Sequence, residues 1–139
     1  MYLFFAKPEP LATVAPLLVR VAGRFTLAAG HSFFGDLFLL DPGCGEYAIL
    51  VASALELTET GEVDERGLRE HILSHPEVVR TLLRPDEAST LVRRLGTLGL
   101  GEAFFPIPLP AIGGSGDLAT FQRGGLWEYL AVLAQSIGG

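Results

Sequence analysis

Between Leu11 and Ala22 apolar residues recur at helical spacing, at Leu11, Val14, Ala15, Leu18 and Val21 or Ala22, with Pro8 and Pro10 in front. Pro16 interrupts the pattern, so a helix either begins near Ala15 or is kinked there. From Arg24 the texture changes to Phe25, Leu27 and the stretch Gly30-His31-Ser32-Phe33-Phe34-Gly35. Two apolar runs follow, Leu37 to Leu40 and Tyr47 to Ala52, separated by Asp41-Pro42-Gly43-Cys44-Gly45. Strand-like runs around an Asp/Pro/Gly cluster predict a β-hairpin. Ala54 to Thr58 alternates at period two and predicts an added or extended strand.

The helical spacing then returns. Asp64 is placed to cap a helix whose apolar face is Leu68, Ile72 and Leu73, up to His75. Pro76 restarts the chain into a short helix carrying Val78, Val79, Leu82 and Leu83. Pro85-Asp86-Glu87 opens a third, with Ala88, Leu91, Val92 and Leu95 as its buried stripe and Gly96 as its stop. The last third is rich in Gly and Pro as far as Asp117. Leu118 to Phe121 predicts a strand, and Leu126 to Ile137 an amphipathic helix with Leu126, Leu130, Leu133 and Ala134 on one face and Trp127 beside it. No repeat or linker divides the chain, so residues 1–139 read as a single domain. Strands first and helices grouped afterwards predict an α+β fold, an antiparallel sheet with helices packed on one side.

Composition narrows the class. Of 139 residues 49% are hydrophobic and 19% charged, which excludes a disordered chain, because such chains lack the apolar surface that offsets ordering entropy. A membrane-spanning helix needs about 20 consecutive apolar residues, and no such run exists. The charge-free stretch Ala103 to Gly116 carries three prolines and three glycines and reads as a packed loop or edge segment. Met1 to Lys7 is apolar but lacks the basic region and small-residue cleavage site of a secretion signal. A cytoplasmic location is expected, and the single cysteine, Cys44, agrees with a reducing compartment.

Enzymatic chemistry finds little support. His71 and His75 have the spacing of a two-histidine metal site, but no third ligand accompanies them and Pro76 ends the helix; no metal is expected. Gly113-Gly114-Ser115-Gly116-Asp117 lacks the Lys-Ser/Thr ending of a phosphate-binding loop and reads as a turn with positive φ angles. Ser115 is not in a nucleophile elbow, since position 117 is Asp. His31, Ser32 and Asp36 have the residue types of a hydrolytic triad, but strand neighbours point to opposite faces. Cys44 has no basic neighbour in its turn and is not read as a nucleophile. The expectation is a non-enzymatic domain without cofactors.

Charge is more informative. Of the net charge of −6, the segment from Asp36 to Glu77 holds ten acidic residues against Arg66 and Arg69, a local balance of −8. Such a field repels nucleic acid and speeds encounter with a basic protein. The residues expected to meet that partner are Glu59, Glu62, Asp64 and Glu65, with Phe33 and Phe34 as aromatic anchors. Phe104 and Phe105 are further anchor candidates. An exposed Phe33-Phe34 pair would favour the interface, and a burial in the core the opposite.

Two stretches carry a resemblance. Gly30-His31-Ser32-Phe33-Phe34-Gly35-Asp36-Leu37-Phe38-Leu39-Leu40-Asp41-Pro42, then Gly45-Glu46-Tyr47, is the first. The second is Phe105-Pro106-Ile107-Pro108-Leu109-Pro110-Ala111-Ile112-Gly113-Gly114, then Leu118 and Tyr129-Leu130-Ala131-Val132-Leu133-Ala134-Gln135. In order and spacing they resemble the C-terminal domain of bacterial type VI secretion immunity proteins of the Tdi type, over about residues 24–136. The resemblance implies an immunity protein that neutralises a DNase-type toxin by stoichiometric binding. A looser likeness is to the SMI1/KNR4 superfamily of immunity and regulatory proteins. The alternative from a different class is a small-molecule-binding or hydrolytic domain using His31, Asp36 and the 113–117 loop, which a closed apolar pocket with converging polar groups would support.

Overall fold

The computed structural model describes residues 1–138. The chain opens with a strand, β1 (Tyr2–Pro10), where the sequence reading has none. β1 lies at the edge of the sheet, paired with β2 (Leu27–Ser32) with a register break between Phe4 and Glu9. Only an edge position tolerates Pro8 and Pro10, which have no N–H to donate to a ladder. Gly30 makes the close approach possible, because a Cβ there would run into the carbonyl oxygen of Leu3.

Pro16 breaks the first helical region as expected. α1 (Leu11–Val14), a 3-10 turn (Pro16–Leu18) and α2 (Val19–Ala22) follow one another. β3 (Leu37–Leu40) and β4 (Tyr47–Val51) form the expected hairpin, with Leu37 opposite Leu50 and Leu40 opposite Tyr47. Asp41 shapes its loop by accepting the Gly43 N–H at 2.8 Å. β5 (Glu56–Glu59) adds the last strand, giving the antiparallel order β1-β2-β3-β4-β5.

The helices do not lie on one side, which corrects that part of the expectation. Leu37, Leu39, Ala48 and Leu50 pack on one face against Leu11, Leu18 and, from α6 (Leu126–Gly138), Leu126 and Leu130. Phe38, Tyr47 and Ile49 pack on the other against Leu68 and Leu73. Those belong to α3 (Glu65–Gly67), which continues as a π-helical stretch (Leu68–Ile72), and to the turn after it. α4 (Pro76–Val78) and a second π-helical stretch (Val79–Leu83) extend the same layer. The sign lay in β3 and β4 themselves, whose unbroken apolar runs belong to strands buried on both faces.

α5 (Pro85–Leu95) begins at Pro85 and stops at Gly96, as the sequence indicates. β6 (Glu102–Pro106) and β7 (Phe121–Gly125) make a separate two-stranded ribbon. The strand expected at Leu118 starts later. Asp117 caps a 3-10 turn (Leu118–Thr120), its carbonyl accepting both the N–H and the hydroxyl of Thr120, so pairing begins at Phe121. α5 and the ribbon enclose a third core of Phe34, Ala88, Leu91, Leu98, Phe104 and Phe121.

Candidate functional site

The aromatic anchors fall inside. Phe34 and Phe104 are 7% and 0% exposed, and Phe34 meets the rings of Phe104 and Phe121. Phe33 is half-buried edge-on against Phe104, and Phe105 stacks on Tyr129 with ring centroids 4.5 Å apart. The Phe33-Phe34 pair is thus core packing in the hairpin turn, and the condition for reading it as an interface anchor is not met.

The four acidic residues lie together along the β5 end of the sheet, and each has a partner within the molecule. Glu59 pairs with Arg24, which also holds Asp41 at 2.7 Å and Glu46 at 3.0 Å. Glu62 meets His71 Nδ1 at 2.8 Å, Asp64 accepts the Gly67 N–H at the start of α3, and Glu65 pairs with Arg69 one turn on. Arg24 was outside the acidic segment in sequence, and the fold brings it in; the carboxylates still outnumber the cations there. Among them Val63 is 64% exposed, an apolar side chain in an acidic surround. Arg24 also comes within 3.4 Å of Cys44 Sγ, so the basic neighbour missing from the turn is supplied by the tertiary structure.

His71 and His75 do not converge. His71 is held by Glu62, whose hydrogen bond and charge push the imidazole above its ordinary value, while His75 Nδ1 accepts the Glu77 N–H. Among the described residues no cluster of three or more His, Cys, Asp or Glu could hold a metal ion. Gly113 and Gly116 have φ of 102° and 75°, the positive-φ turn expected of that loop. No helix among the described residues is long and apolar enough to cross a membrane.

His31, Ser32 and Asp36 are all buried at the β2–β3 turn, where the side chains of Ser32 and Asp36 form a polar knot. Ser32 Oγ donates to Asp36 Oδ2 at 2.7 Å and accepts the N–H groups of Phe34 and Asp36. Asp36 Oδ1 accepts the Ala52 N–H at 2.8 Å. His31 points elsewhere: Nε2 accepts the Gly101 N–H at 3.2 Å and Nδ1 lies 2.9 Å from the Ser32 carbonyl oxygen. A ring that accepts at Nε2 and donates at Nδ1 is neutral, and burial lowers the His31 pKa accordingly. Among the described residues the Ser32 hydroxyl has no hydrogen bond to the imidazole, so the three residues are not a charge-relay arrangement.

Beside the knot is a cavity of about 310 Å³. Asp36, Ser53, Thr81, Arg84 and Tyr129 supply its polar side chains, and Phe34, Leu109 and Phe121 part of its apolar wall. Arg84 adopts the left-handed conformation, with φ of 47°, at the junction into α5. Its guanidinium carbon sits 4.3 Å from the Phe34 ring centre, and it pairs with Glu87. Burial pushes the Asp36 carboxyl up, against the pull of the Ala52 N–H and the Ser32 hydroxyl. Burial, with the Asp36 charge, pushes the Tyr129 phenol up to about 12. Sequence reasoning weighed a chemical role for Asp36 but none for Arg84 or Tyr129, which lie far along the chain from it.

No known protein family matches the chain, and no curated protein does. In three dimensions it is similar to the crystal structure of Atu4351 from Agrobacterium tumefaciens, with a TM-score of 0.62 and 17% sequence identity. The likeness covers 96% of this chain and 66% of that one, so the chain spans just under two thirds of its neighbour's length. At that identity the likeness establishes a shared fold.

Proposed function

We propose that the domain acts by binding another protein, as a cytoplasmic immunity-type protein that neutralises a basic, nuclease-type toxin by stoichiometric occlusion and without turnover. The observation that carries this reading is the β5 end of the sheet. There Glu56 and Glu59 are exposed on the edge strand and Asp64 and Glu65 just beyond it, and Val63, between Glu62 and Asp64 in the chain, is itself exposed. An exposed apolar residue flanked by carboxylates gives a basic partner both steering and a small desolvated contact. The charged edge strand also discourages self-pairing. The resemblance of the two sequence stretches to Tdi-type immunity domains supplies the class of partner. Ser32 supports the binding reading over hydrolysis, because all its hydrogen-bonding capacity is used in holding the turn.

The test uses tagged protein in native lysate, compared with a variant carrying Glu56→Gln, Glu59→Gln, Glu62→Gln and Glu65→Gln. Asp64 stays because it caps α3. The expected result is one basic nuclease-like protein retained near one-to-one by the wild type and lost from the variant at physiological salt. Equal retention by both proteins, or none by either at low salt, overturns the reading.

A further inference from the structure

Tyr129 is only 8% exposed, yet its hydroxyl has no hydrogen-bond partner among the described residues. Among the described residues no fully enclosed side-chain oxygen or nitrogen lacks a partner, so this oxygen stays accessible, on a side chain that lines the cavity. Buried hydroxyls are nearly always paired, and an accessible one on the wall of a cavity has its donor free for an occupant, water or ligand. Its ring is fixed, stacked on Phe105 and seated over Gly35, so the donor is held in place before any ligand arrives. Each Asp36 oxygen carries one protein hydrogen bond and has a lone pair left for a second.

We infer that this cavity is a binding site for a small neutral molecule with an apolar body and an amide- or lactam-type end. The carbonyl of such a group accepts from the Tyr129 hydroxyl, and its N–H donates to Asp36. Phe34, Phe121 and Leu109 offer the body an apolar wall. Neutrality follows from the charges present. Arg84 is already paired with Glu87, so an anionic ligand would meet the Asp36 carboxyl beside a cation already engaged, and the burial that disfavours the charged form of Asp36 also weakens its hold on a cationic one. The volume of about 310 Å³ is at the small end of the range for ligand sites, roughly 300–1,000 Å³, and suits one ring with one polar group. This site is separate from the acidic edge and goes beyond the protein-binding role.

The probes are benzamide, benzoate and benzamidine, titrated to millimolar concentration into the full chain while backbone amide NMR shifts are followed. Benzamide is expected to give saturable shifts at Asp36, Tyr129 and Gly116, with both charged analogues several-fold weaker. Tyr129→Phe is expected to weaken benzamide by up to about tenfold, the range for one hydrogen bond, while leaving the melting temperature unchanged because the hydroxyl serves no protein group. Ala111→Trp, at an exposed position on the rim, is expected to block binding without touching the core. No saturable shift with any probe would show that the cavity holds solvent only and overturn the inference. So would tighter binding of benzoate or benzamidine, or an unchanged affinity in Tyr129→Phe.

Discussion

Ser32 Oγ donates to Asp36 Oδ2 across 2.7 Å inside the turn that joins β2 to β3, and the two residues are 0% and 5% exposed. The pair fastens the turn internally and, through Asp36 Oδ1 and the Ala52 N–H, fastens it to the end of β4. Asp36→Ala would leave the Ser32 hydroxyl without its acceptor and the Ala52 N–H unpaired in the interior. A loss of about 2–4 kcal/mol is expected, measured by urea unfolding. Ser32→Ala should lose about 1–3 kcal/mol, and the double variant less than the sum, because the second change removes groups the first has already orphaned.

His31 makes stability depend on pH. Burial lowers its folded-state pKa below the ordinary 6.5, so as pH falls the unfolded chain takes up the proton first. Its contribution is therefore fully present above 6.5 and is lost as pH falls from there towards the folded-state value. Asp36 runs the other way: its pKa is raised above 3.8, and stability is lost as pH rises through the folded-state value. Unfolding midpoints of wild type and His31→Gln, taken from pH ~7.5 down to ~5, separate the two. The wild type should lose more stability than the variant over that range, with one proton limiting the difference in slope to about 1.4 kcal/mol per pH unit. Parallel curves would mean that the imidazole takes up its proton over the same pH range in the folded and unfolded chains.

Gly35 has φ of +91°, and a Cβ there would lie 2.7 Å from Tyr129 Cε2. Gly61 has φ of +75° with nothing within 4 Å of a Cβ. Gly61→Ala should therefore cost only the backbone strain, about 1 kcal/mol, and Gly35→Ala about 3 kcal/mol, since the ring must also move. Thermal melts give the ranking. Equal losses would show that Tyr129 yields freely, which would also undo its role as a fixed donor to the cavity.

Much of the architecture could be read from local chemistry. The Asp-Pro-Gly-Cys-Gly turn between two apolar runs, the Asp64 cap, the restarts at Pro76 and Pro85 and the stop at Gly96 all stand where the sequence puts them. Turn and cap preferences act within a few residues, so a single sequence displays them. β1 escaped because its prolines argue against a strand until the strand is known to lie at an edge. β7 escaped because its glycines, Gly124 and Gly125, carry no strand signal; at Gly124 a Cβ would lie 2.7 Å from the Phe105 ring.

The sequence by itself determined the β3–β4 hairpin, most of the helical segments, the breaks between them and the acidic excess of the middle third. Only the tertiary structure decided that helices cover both faces of the sheet, that Arg24 enters the acidic cluster from 17 residues before Asp41, and that Phe33 and Phe34 face inward. It alone gathered Asp36, Arg84 and Tyr129 around one cavity. The reason is physical: caps, turns and periodicity are set by interactions a few residues long, whereas which apolar face meets which, and which polar groups are left facing a void, depends on packing between segments distant in the chain.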